Sequence, residues 1–124
     1  MRKGEADTII QVVDIKVSTL DMVKMYLPEI FVAICKAESD CTPTAMNWNC
    51  YYGEVSRACK KEDRDKAWSV DCGLFQQNVL GKVCPKELFD PLTSILNAQK
   101  LYNSRGLQPW RASQAKWDNK LALL

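Results

Sequence analysis

Ser69-Val70-Asp71-Cys72-Gly73-Leu74-Phe75-Gln76-Gln77-Asn78 is the stretch on which the reading of this chain turns. A carboxylate stands two places before a glycine, and two apolar side chains, a glutamine and an asparagine follow it. Upstream lies a second stretch, Ala33-Ile34-Cys35-Lys36-Ala37-Glu38-Ser39-Asp40-Cys41-Thr42-Pro43-Thr44-Ala45. At about 100° per residue, Phe31, Ile34 and Glu38 fall on one helical face, so a carboxylate ends an apolar stripe. Such a glutamate is partly desolvated, which raises its pKa and suits it to act as a general acid near neutral pH.

Outward from these stretches the spacing is mostly helical. Ser18, with Asp21 three residues on, opens a helix that carries Leu20, Val23 and Leu27. Pro28 and Glu29 suit the first turn of a second helix, expected to run to about Ser39, and Pro43 breaks the chain after it. Residues 44–79 read as a small β or irregular region, with turn chemistry at Asn47, Asn49 and Gly53 and an exposed charged loop from Lys60 to Lys66. Asp90 and Pro91 open a helix with Ile95, Ala98 and Tyr102 on one stripe, and Gly106 stops it. Pro109 and Trp110 begin a last segment that contains Trp117. Residues 1–17 read as a separable arm or linker, with β-branched residues from Thr8 to Val17, and residues 18–124 as one domain. The fold class expected is α+β, mostly α.

Composition narrows the chemistry. At 124 residues the chain can bury one core. A net charge of +2 does not argue for a nucleic-acid-binding face, although it would favour an anionic polymer. With no histidine, Ser-His and Cys-His nucleophiles and the usual zinc sites drop out, leaving acid–base work to carboxylates, Lys, Tyr or Cys. The six cysteines, Cys35, Cys41, Cys50, Cys59, Cys72 and Cys84, include no C-x-x-C pair and read as three disulfides formed in an oxidising compartment. They allow 15 pairings, and spacing alone does not choose among them. The expected location is therefore extracytoplasmic, whether periplasmic, secreted or virion-associated. Arg2 and Lys3 suit the start of a signal peptide, but no apolar run of the required length follows, and no stretch has the length of a membrane span.

The two quoted stretches, in this order, resemble the catalytic helix end and the second hallmark of the lysozyme and lytic transglycosylase superfamily. Trp110-Arg111-Ala112 is a third, weaker match, and the three cover the chain from about Pro28 to Ala112. The resemblance implies a lysozyme-like, disulfide-stapled fold that acts on peptidoglycan glycan strands as a monomer, with no metal and no organic cofactor. Glu38 would protonate the oxygen of the β-1,4 bond after N-acetylmuramic acid. Asp71 would be the second carboxylate, as in animal-type lysozymes, unless it is a turn residue capping local backbone. Ser39 would bond near the acid or finish the helix. Gln76 and Asn78 would hold N-acetyl groups, and Trp110 would wall the acid or fill the core.

Three departures bear on the activity. The segment between Glu38 and Asp71 is longer than in animal-type lysozymes, with an extra loop at about residues 48–67 that could displace Asp71. Its aromatic residues, Trp48, Tyr51 and Tyr52, could stack on sugars or cover the core. Gln77 replaces a usually apolar residue. Ser113 stands where transglycosylases often carry a tyrosine. Hydrolysis is the first expectation. A lytic transglycosylase forming a 1,6-anhydro end is the second, and a non-catalytic glycan- or partner-binding protein on the same scaffold is the third.

Overall fold

The Ser18 hydroxyl accepts a hydrogen bond from the Asp21 N–H at 3.1 Å, and helix α1 (Thr19–Tyr26) follows from this cap. A computed structural model of the chain describes residues 18–121, so the arm expected at 1–17 lies outside the described residues. Helix α2 (Ile30–Ser39) ends where its spacing predicts. Its first half is apolar on every side, with Phe31, Val32, Ala33, Ile34 and Cys35 all buried, so that half runs through the core rather than over it. Asp40 and Cys41 then turn left-handed at φ 53° and 54°, a conformation costly for residues with a Cβ. The Cys35–Cys41 disulfide closes this turn covalently.

Residues 46–80 form a four-stranded antiparallel sheet of order β2-β1-β3-β4, from β1 (Met46–Tyr52), β2 (Val55–Ala58), β3 (Ser69–Cys72) and β4 (Gln77–Leu80). The stretch expected as an extra loop is thus a hairpin, β1–β2, turned at Gly53 and stapled by Cys50–Cys59. The charged run expected as a loop is a 3₁₀ turn, Lys61–Lys66. Tyr52 ties it down by donating to Asp63 Oδ2 at 2.8 Å and accepting from the Lys60 N–H at 2.8 Å. Cys72–Cys84 ties β3 to the segment after β4.

The sheet has two unlike faces. Trp48, Val70, Cys72 and Val79 point one way and build a small core with Cys84 and Leu88. By the two-residue period and the strand register, Asn47, Asn49, Tyr51, Ser69, Asp71 and Asn78 share the other face.

Helix α3 (Pro91–Arg105) starts at Asp90, whose carboxylate accepts from the Thr93 N–H at 2.9 Å and so titrates below the usual range. A 3₁₀ turn (Gln108–Ser113) and α4 (Gln114–Leu121) follow, and α4 packs against α2. Mixed α+β architecture, with helical segments over 55% of the described residues, agrees with the helix-dominated class expected.

The two layers are joined by the β3–β4 turn. Its Leu74 and Phe75 are buried in the helical core beside Phe31, Ile34, Ile95 and Trp110. The Phe31 ring meets Phe75, Tyr102 and Trp110 edge to face, with centroids 5.7, 5.3 and 5.0 Å away. Gly73 begins this turn at φ +79°, and a Cβ there would sit 2.3 Å from the Leu88 carbonyl oxygen. Gly73→Ala should therefore lose at least about 2 kcal/mol, from the left-handed backbone and the backbone clash together. Denaturant unfolding is the check, and an unchanged midpoint would mean the turn does not lock the layers.

Candidate functional site

Glu38 occupies the last turn of α2, one helical turn past the fully buried Ile34. The core packing that immobilises the helix also removes water from the carboxylate. Burial raises the Glu38 pKa above the ordinary 4.5, and the nearby Asp71 charge raises it further. The negative end of the helix dipole acts in the same direction. A hydrogen bond from Ser113 and the Lys116 charge pull it down, but the net shift is upward.

Ser113 Oγ lies between two oxygens, Glu38 Oε2 and the Trp110 carbonyl, the latter at 3.1 Å. A hydroxyl has one hydrogen. With Glu38 ionised, Ser113 donates to the carboxylate. With Glu38 protonated, the acid can donate to Ser113 Oγ while the serine hydrogen turns to the Trp110 carbonyl. Ser113 can thus serve either protonation state of Glu38.

Asp71 sits in mid-sheet on the polar face. Its Oδ1 accepts from Asn78 Nδ2 at 2.8 Å and its Oδ2 from Asn49 Nδ2 at 3.2 Å. Both amides also donate to Ser69 Oγ, each at 3.0 Å. Ser69 is fully buried beneath them, so the carboxylate is held on a satisfied polar network rather than swinging free.

Glu38 and Asp71 both line one cavity of about 630 Å³ between the sheet and the helical side. Gln76, Asn78, Trp110 and Ser113 line it too, and Arg105 and Lys116 bring two cations to the same space. A concave site that brings two carboxylates together beside amide side chains can carry acid–base chemistry on a polar molecule.

Among the residues expected around the acid and the sugar, Ser39 and Gln76 spend their side chains on the fold, while Trp110 fills both of the roles expected of it. Ser39 does not line the cavity; its hydroxyl donates to the Leu74 carbonyl at 2.7 Å and accepts from the Thr42 N–H at 3.1 Å, which pins the end of α2 to the β3–β4 turn. Gln76 spends its amide on the same turn, donating to the Gly73 carbonyl at 3.0 Å and accepting from Asn47 at 2.6 Å. Trp110 is only 3% exposed, and its indole N–H donates to the Phe75 carbonyl at 3.2 Å, so it is wall and core together. Asn78 is exposed on the polar face, with its amide N–H groups given to Asp71 and Ser69.

Ser113, Asn49 and Lys116 are site residues that sequence reasoning did not select. Strand alternation from Asn47 could have found Asn49, and the three-residue step from Trp110 could have found Ser113. Among the described residues no cluster of three or more His, Cys, Asp or Glu side chains is placed to hold a metal ion. Compared with models of protein families, with curated proteins and with solved structures, the chain gives no match.

The raised Glu38 pKa fixes the sign of a stability effect. Below the ordinary 4.5 the group is protonated in both folded and unfolded chains and costs nothing. As pH rises, the unfolded chain ionises first, and folded stability falls until the pH has passed the raised folded value. Glu38→Gln cannot ionise, so it should match the parent in acid and exceed it at neutral pH. Melting temperatures of both proteins across this pH range test the sign; a variant less stable at neutral than at acid pH, relative to the parent, would contradict it.

Proposed function

We propose that this chain is a lysozyme-like glycoside hydrolase that cuts the β-1,4 bond between N-acetylmuramic acid and N-acetylglucosamine in peptidoglycan. The observation that carries the reading is the pairing of unlike carboxylates across one cavity: Glu38, desolvated and raised in pKa, and Asp71, held by two amides. Environments that push two acids toward opposite roles are what glycosidic cleavage needs, and the best-known example of this tuning is itself a lysozyme. The resemblance of residues 33–45 and 69–78 to that superfamily points the same way. Three disulfides, and the absence among the described residues of any helix long and apolar enough to cross a membrane, are consistent with work outside the cytoplasm.

In this reading Glu38 gives its proton to the glycosidic oxygen as the bond from that oxygen to the anomeric carbon breaks. The oxocarbenium-like charge left on the ring is stabilised by Asp71. Ser113 follows the change of state, turning its hydrogen from the Trp110 carbonyl to the new carboxylate. Water then adds to the anomeric carbon and returns a proton to Glu38, so the acid is restored. Asn49, Asn78 and Ser69 keep Asp71 oriented throughout.

Mass spectrometry of the soluble fragments from purified peptidoglycan tests this. Reducing muramic acid ends are expected from the parent, and Glu38→Gln should release them at least about 100-fold more slowly, the usual contribution of a positioned acid. Anhydro ends, lighter by one water, would instead assign a lytic transglycosylase and leave Asp71 a supporting role. Equal rates from parent and variant would remove Glu38 from the mechanism, and binding without cleavage would make the protein a glycan-binding module.

A further inference from the structure

The polar face of the sheet does not end at the cavity. Along β1 the side chains of Asn47, Asn49 and Tyr51 alternate onto it, and the first two already serve the site through Gln76 and Asp71. Tyr51 is 57% exposed, an unusual degree for an aromatic residue in a strand flanked on both sides. Its ring stacks on that of Trp68, itself 37% exposed, with centroids 5.3 Å apart and planes 25° from parallel.

The pair is held in place rather than lying loose on the surface. Trp68 Nε1 donates to Ser56 Oγ at 2.8 Å, and Ser56 is the register partner of Tyr51. The Trp68 backbone N–H donates to the Asn49 carbonyl at 2.9 Å, which fixes the indole to the strand that carries the site. Neither ring belongs to either buried core. Two large apolar rings thus stand preorganised in solvent, on the same face as Asp71, with their ordering entropy already spent.

We infer that Tyr51 and Trp68 form a stacking subsite for a distal sugar ring of the glycan whose cleavage is proposed above, an inference that rests on that reading. A pyranose presents a flat patch of C–H groups to an aromatic face and hydroxyl groups at its rim, so an exposed ring beside polar side chains fits it. The geometry sets the direction. Asp71 pairs with Asn47, and Tyr51 lies four residues further along the same strand, about 13 Å at about 3.3 Å per residue. A glycan held at Asp71 and running along β1 therefore meets Tyr51 a few sugar units from the scissile bond. The subsite gives long chains an affinity that short ones cannot reach.

The test is the dependence of KM on chain length, measured on peptide-free glycan oligomers for the parent, Tyr51→Ala, Tyr51→Phe and Trp68→Leu. In the parent KM falls as the oligomer grows long enough to reach the pair. Tyr51→Ala and Trp68→Leu should each forfeit up to about tenfold of that fall, with kcat little affected, and Tyr51→Phe should restore it because the ring alone is needed. A length dependence identical in the parent and Tyr51→Ala, or a rise in KM equal at every length, overturns the subsite while leaving the proposed cleavage intact. A parent that cleaves no oligomer of any length overturns both.

Discussion

The insertion of Leu74 and Phe75 into the helical core is the contact on which the site depends. The sheet has a small core of its own on one face, and it gains its position against the helices by giving two side chains from the β3–β4 turn to the larger core. The backbone carbonyls of those residues are then claimed by opposite sides of the helical layer. Leu74 is bound by Ser39 at the end of α2, and Phe75 by the indole of Trp110. The turn therefore locks two side chains to their own functional neighbours: Ser39 follows Glu38, and Trp110 carries the carbonyl shared by Ser113. Asp71, two residues before the turn, has no freedom to drift away from Glu38.

From this lock follows the asymmetry of the two carboxylates. The core that receives Phe75 dries the end of α2, so Glu38 prefers its proton. The opposite wall is the polar face of a sheet, where hydrogen-bond donors outnumber apolar groups and Asp71 is supplied with two of them. One wall dries its acid, and the other supplies its carboxylate with amide donors. The Cys35–Cys41 disulfide brackets Glu38 on the same turn where two residues adopt left-handed backbone, and so helps hold a conformation that the sequence alone would not favour. In the proposed reaction both groups are ready before the glycan binds.

Much of this frame was legible in the residues. Helix boundaries at Ser18, Ser39, Asp90 and Gly106 rest on local capping chemistry, which acts within a few residues and can be read from them. Helical period puts Glu38 at the end of an apolar stripe, and the resemblance of residues 33–45 and 69–78 to the lysozyme superfamily is what singles it out as an acid. What escaped depended on partners far apart in the chain. The 75-residue separation between Ser113 and Glu38 hides their contact, and the choice among disulfide pairings is made by tertiary geometry. The β1–β2 hairpin is hard to read as strands because Met46–Tyr52 is crowded with aromatic and amide residues and buries only Cys50. An alternation of buried and exposed residues that faint leaves the two-residue period without a hydrophobic signal. Ser39 and Gln76 carry side chains suited to sugars, and only the fold reveals that the β3–β4 turn has taken them first.

In the proposed reaction Glu38 is the proton donor, and burial raises the pH at which it loses that proton. The pH dependence of the initial rate of glycan cleavage by the parent protein tests it most directly. Activity should persist above the ordinary carboxylate range and then fall along a single limb as Glu38 loses its proton. A rate that stays level or climbs into alkaline pH would mean that no carboxylic acid donates the proton, and the assignment of Glu38 would fail with it.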